Sequence, residues 1–132
     1  MRYFLICILV MITSGCGMKL NEMRTLDPDT KIINKEPTCV FNKLNGKVIT
    51  TQTESFFVAR FIWSSNWDNK KRNGELFAMM DDQYRNYHML FNIYDEGNHT
   101  KIEMRVPKSS YEWIKAYAKS IFETDFSSCD QI

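Results

Sequence analysis

Apolar and polar positions are spread unevenly along the chain. Every residue from Tyr3 to Ile12 is apolar, whereas between Gly17 and Pro37 apolar positions are scattered and keep no sustained period. From Cys39 onward, short apolar runs alternate with turn-forming residues. Cys39-Val40-Phe41 and Lys47-Val48-Ile49-Thr50-Thr51 flank Asn45-Gly46, a pair that predicts a first β-hairpin. Ser55 to Trp63 is apolar on both faces of a strand, and positions 57, 58, 61 and 62 also share one face of a helix. Periodicity leaves both options open. A helix over 55–65 is preferred, because a strand there needs cover on both faces in a small chain.

Gly74 to Met80 has the length of a strand and is closed by Asp81-Asp82-Gln83. Tyr87, Met89, Phe91 and Ile93 then alternate with wetter positions, as do Ile102, Met104 and Val106 beyond the turn at Asp95–Asn98. This predicts an antiparallel hairpin with one dry face. After Pro107, Ser109 followed by Glu112 has the form of a capping box. Tyr111, Ile114, Ala118, Ile121 and Phe122 then fall on one side at helical spacing, with Tyr117 at the edge and Glu112, Lys115, Lys119 and Glu123 pointing away. The expected class is α+β: a small antiparallel sheet of hairpins, an amphipathic C-terminal helix packed on one face, and 55–65 as the place of a second helix.

Composition narrows the function classes. With 132 residues, 44% of them hydrophobic and 25% charged, the chain has room for one modest core. Seventeen basic residues against 16 acidic ones give a net charge of +1, which supplies no field for nucleic acid, so no nucleic-acid partner is expected.

The N-terminus suggests a destination. One basic residue, the apolar run and the small residues after it form a secretory signal pattern. The run covers about 15 Å as a helix, roughly half of a bilayer's hydrocarbon thickness, so a permanent span is not expected. The run ending in Thr13-Ser14-Gly15-Cys16 resembles the lipobox of bacterial lipoproteins, in which cleavage before a Cys exposes it for acylation. The resemblance implies that Cys16 is lipidated and that the membrane is one partner. Gly17, rather than Asp, after that Cys implies an outer-membrane destination facing the periplasm, with the inner membrane and the cell surface as the other placements. The organisation expected is therefore a signal peptide at 1–15, a lipidated Cys with a flexible tether at 16–37, and a single α+β domain at 38–132. Such a tether would reach about 70 Å fully extended, at roughly 3.3 Å per residue.

Cysteine parity agrees with export. Cys7 leaves with the signal peptide and Cys16 is consumed by acylation, so Cys39 and Cys129 remain. In an oxidising compartment they are expected to form a disulfide, the alternatives being free buried thiols or a reactive thiol. Removal of 1–15 takes away Arg2 alone among the charged residues and leaves basic and acidic side chains equal in number.

Chemistry-bearing motifs are sparse. His88 and His99 are expected toward opposite ends of their hairpin, and Asp81-Asp82 reads as a solvated turn; no metal site, cofactor or catalytic set is expected. The loop carrying Trp67, Lys70, Lys71 and Arg72 is the least ordinary segment, because cations beside an aromatic suit phosphate or an acidic surface. The plainer alternative tucks Trp67 into the core. Trp113 lies off the helix stripe and is a second candidate contact residue. The expected function is a non-enzymatic binding or accessory lipoprotein of the cell envelope, with an envelope protein or cell-wall component as partner. The alternative is an inhibitor or exclusion lipoprotein acting on a foreign hydrolase or phage.

Overall fold

The computed structural model describes residues 18–54, 61–80 and 86–132. The signal segment with Cys16, the first part of the 55–65 segment and the Asp81-Asp82 turn lie outside the described residues. The elements are α1 (Leu20–Met23), β1 (Asp29–Ile33), α2 (Pro37–Glu54), β2 (Phe61–Asp68), β3 (Asn73–Met80), β4 (Tyr87–Asp95), β5 (Thr100–Arg105) and α3 (Glu112–Phe122). The strands form one antiparallel sheet in the order β1-β5-β4-β3-β2, so β1 and β2 are its edges. The class is α+β, as the patterning predicts.

Helices α2 and α3 share one face of the sheet. Val40, Leu44 and Val48 of α2 and Ile114, Ala118 and Ile121 of α3 close over Leu76, Ala78, Phe91, Ile93 and Ile102 as a single buried cluster. On α3, Ile114, Ala118 and Ile121 of the expected stripe are buried and Phe122 is half-buried, whereas Tyr111 stands exposed ahead of the helix; Glu112, Lys119 and Glu123 are exposed. The expected Ser109 cap is absent. Pro107 to Ser110 forms a turn, Ser110 N donating to Pro107 O at 3.0 Å, and the helix begins later with Tyr111 as its cap residue.

Three expectations about the elements themselves are corrected as well. The hairpin around Asn45-Gly46 is instead the interior of α2. Pro37 occupies the first helical position, where its missing N–H costs nothing, and the Glu36 carboxylate accepts from the amides of Thr38 (3.1 Å) and Cys39 (2.8 Å). Val40, Leu44 and Val48 then recur at helical spacing, and their burial outweighs the local turn signal. Gly46 faces open space and has no positive φ. Gly46→Ala is therefore expected to raise stability by about 0.5–1 kcal/mol, read from the urea midpoint, whereas in a hairpin turn it would lower it.

The second correction concerns 55–65, whose described part is strand. Phe61, Trp63 and Trp67 face the helices, while Ile62 is left exposed on the other side. Ser64 and Asn66 share the open face with Ile62, so β2 needs cover on one face only.

The third concerns the tether. Residues 18–36 belong to the folded body: β1 pairs with β5 along its whole length, and Met18 exchanges backbone bonds with Tyr87 (3.0 and 2.8 Å). Met23 is fully buried and α1 rests on β4. Arg24 pairs with Glu75 at 2.9 Å, and Glu75 alternates with the core-facing Leu76, so α1 covers the face opposite α2 and α3. A segment with few apolar residues is thus held by backbone pairing and by scattered side chains such as Met23, Arg24 and Ile33, which leaves no hydrophobic period to read.

Candidate functional site

The two ends of the sheet differ in chemistry. At the end formed by the start of β3 and the close of β4, the β2–β3 loop is held by its own side chains. Asp68 Oδ1 accepts from the amides of Lys70 (2.9 Å) and Lys71 (3.1 Å), and Trp67 Nε1 donates to Asn69 Oδ1 (3.1 Å). Arg72 adopts a left-handed φ of 52° and donates from Nη2 to Glu36 (2.8 Å) and from Nε to Asp95 (2.7 Å). It fastens the loop to both β4 and the start of α2. Burial acts to raise the Glu36 carboxyl, but the Cys39 and Thr38 amides and the Arg72 guanidinium outweigh it and hold it below its ordinary range. The Gly97 amide and Arg72 likewise hold Asp95 low.

The sequence-predicted loop residues therefore separate. Lys70 and Lys71 are exposed at the tip, whereas Arg72 is engaged in two ion pairs. Trp67 is half-buried, its ring centroid 5.2 Å from that of Phe41. Both rings lie over Gly74, where a Cβ would overlap them, so this glycine makes room for the aromatic pair. Trp113 lies elsewhere. It meets Phe61 (ring centroids 5.9 Å apart), which pairs with Met80 at the far end of the sheet, roughly 20 Å along β2 from Trp67. Trp67 and Trp113 do not share one surface.

The loop end of the sheet, where Glu36 meets Arg72, carries the Cys39–Cys129 disulfide, with Cα atoms 5.8 Å apart. Glu36 N donates to Asp130 O (2.9 Å) and Lys35 Nζ to Cys129 O (3.0 Å), so the C-terminal tail is docked on the β1–α2 connection.

Sequence reasoning missed a groove of about 450 Å³ between α3 and the β1–β5 edge. Met104, Val106 and Phe122 give it apolar walls, and Lys108, Lys115 and Lys119 stand along it together with Asp29 and Glu123. Lys115 reaches Glu112 at 3.4 Å and Lys119 reaches Glu123 at 3.8 Å, both across exposed helix surface. Beside the groove, β1 is paired on one side only among the described residues, and Ile32 is 61% exposed. Lys115 and Lys119 are visible in the sequence as the outer face of a helix. The groove is not, because its other wall brings together Met104 and Val106 at the end of β5 with Asp29 from the segment that looks like a tether.

On the opposite face of the sheet a belt of ion pairs lies under α1. Glu103 is nearly buried and binds Arg105 (2.8 Å) and Lys101 (3.5 Å), while Asn92, its amide oriented to suit both neighbours, donates to Glu75 (3.1 Å) and accepts from Arg105 (3.2 Å). Glu75 and Glu103 flank Asn92 in register, about 10 Å apart across two strand spacings, and each is bound to an arginine. His88 is fully buried with its ring 6.0 Å from Phe61, rather than on a wet strand face. A register shift beside it breaks the alternation on which the expectation rests. His99 lies 3.6 Å from Glu96 in the β4–β5 turn. Among the described residues no group of three His, Cys, Asp or Glu is placed to hold a metal ion, and no helix is long and apolar enough to cross a membrane. Comparison with protein-family models, with curated proteins and with solved structures finds no match to this chain.

Proposed function

We propose that this chain is an exported lipoprotein, anchored through Cys16 to the outer membrane on its periplasmic side, and that its domain is a non-enzymatic binding module. The observation that supports this most is the pairing of Cys39 with Cys129. It leaves Cys7 and Cys16 as the remaining cysteines, both inside the segment that resembles a lipoprotein signal. A bridge between the two ends of the domain suits an oxidising compartment.

The partner contact is placed at the β1 edge and the groove beside it. An open edge offers backbone donors and acceptors to an added strand, and alternate side chains of that strand would reach either Ile32 or the lysine-lined groove. The partner segment is extended and carries both apolar and acidic side chains. A photo-crosslinking residue placed at Ile32 or Lys119 in the full chain, in cells, should yield one discrete adduct that mass spectrometry identifies as the same envelope component. The same residue at Asn42, on the exposed face of α2, should yield none. Absence of an adduct from both β1 and the groove would overturn the placement.

A second reading is favoured by the β2–β3 loop. Lys70 and Lys71 are presented on a loop already ordered by Asp68 and Arg72, and such a loop loses little freedom on entering a carboxylate-lined cleft of the kind glycoside hydrolases use. Adducts arising from positions 70 and 71, with a hydrolase as partner, would favour an inhibitor.

A further inference from the structure

We infer that the end of the sheet where the chain enters the fold is seated on the lipid bilayer, so that the domain has a fixed orientation on the membrane and does not swing on a tether. The inference rests on the lipid-anchor proposal above and adds a surface to it. Met18 is the first described residue, and its two backbone bonds fix it to Tyr87 at the start of β4. Only Gly17 separates it from Cys16, so the acylated residue lies at most about 7 Å from the sheet. No room remains to lift the domain clear of the headgroups.

The surface at that end suits an interface. The start of β4 lies beside the end of β3, the start of β2 and the end of β5, and α3 begins there. Of the large apolar side chains exposed among the described residues, Ile62, Tyr111 and Trp113 lie at this end, with Ile32 on β1 and Ile132 at the C-terminus. Trp and Tyr favour the headgroup level, where one end of the ring is wet and the other dry. Lys19 and Lys108 are exposed close by, and the exposed Glu112, which pairs with Lys115, brings an opposite charge to the same end, so the aromatic and apolar groups carry the contact more than charge does. The opposite end holds Lys70, Lys71, the Arg72 ion pairs and the disulfide, and it faces away from the membrane with the β2–β3 loop free to meet a partner.

The test uses the full lipidated chain in vesicles of phosphatidylethanolamine and phosphatidylglycerol, with and without bromine on the upper acyl carbons, a short-range quencher of tryptophan. One Trp of three lies at the seated end, so brominated lipid should remove roughly a third of the emission in the native chain and about half in Trp67→Phe. In Trp113→Phe quenching should fall close to zero. Trp67→Phe keeps the test valid if Trp113→Phe does not fold. A chain whose mass shows acylation at Cys16, but whose emission is unchanged by bromine or loses its quenching in Trp67→Phe, would overturn the orientation and leave the anchor standing. A chain with no acyl mass that does not float with vesicles would overturn both.

Discussion

Removal of the Cys39–Cys129 bridge, by reduction or by Cys39→Ala with Cys129→Ala, is expected to lower the unfolding free energy by about 4 kcal/mol. The cross-link joins residues 90 apart in sequence, one in the first turn of α2 and one in the tail beyond α3. Closing so long a loop removes much of the freedom of the unfolded chain while asking little of the native one, where the tail is also held by the Glu36 and Lys35 bonds to Asp130 and Cys129. The native fold should persist in the reduced protein with a lower urea midpoint and a steeper denaturant slope, since the unfolded chain becomes more expanded. Equal midpoints with and without reductant would mean that the two sulfurs are not joined.

Leu44→Ala is expected to cost about 3 kcal/mol, within the range for a fully buried Leu truncated in a core that collapses only in part. Leu44 sits where α2 meets the sheet, in the cluster that also includes Leu76, Phe91 and Ile121. Two residues along, Gly46→Ala should act in the opposite direction. This contrast of sign belongs to a helix with one buried and one open face. In the hairpin that Asn45-Gly46 suggests, Leu44 would flank an exposed turn and its truncation would cost little, so a loss under about 1 kcal/mol would contradict α2.

The same stretch illustrates what a single sequence discloses. The β4–β5 hairpin and α3 are legible because each repeats its period over many residues: Met89, Phe91 and Ile93 alternate, and Ile114, Ala118 and Ile121 return on one helix face. Helix α2 is masked by local preference. Val48, Ile49, Thr50 and Thr51 favour strands and Asn45-Gly46 favours a turn, yet burial of Val40, Leu44 and Val48 decides the outcome. The available signal was Glu36-Pro37 at the helix start, weaker on paper than the Asn-Gly pair. Residues 18–33 are less legible still, because their place is set by pairing with β4 and β5 and by a few scattered side chains, Met23, Arg24 and Ile33 among them.

The site follows the same division. The cations at 70–72 are plain in the sequence, but the partners that engage Arg72 lie at Glu36 and Asp95, and only the fold brings them within reach. The groove beside α3 takes Asp29 from the N-terminal segment, and the end of the sheet near Trp113 is the one at which that segment joins β4. Placing that segment on the sheet turns an expected long tether into a short attachment.

Intact mass of the protein extracted from membranes, beside a Cys16→Ala variant and with and without reductant, tests the central claim most directly. The account predicts a mature chain beginning at Cys16 with added acyl mass, a gain of the mass of two hydrogens on reduction for the Cys39–Cys129 bridge, and no acylated species from Cys16→Ala. A chain retaining residues 1–15, or one cut there without acyl mass, would contradict it.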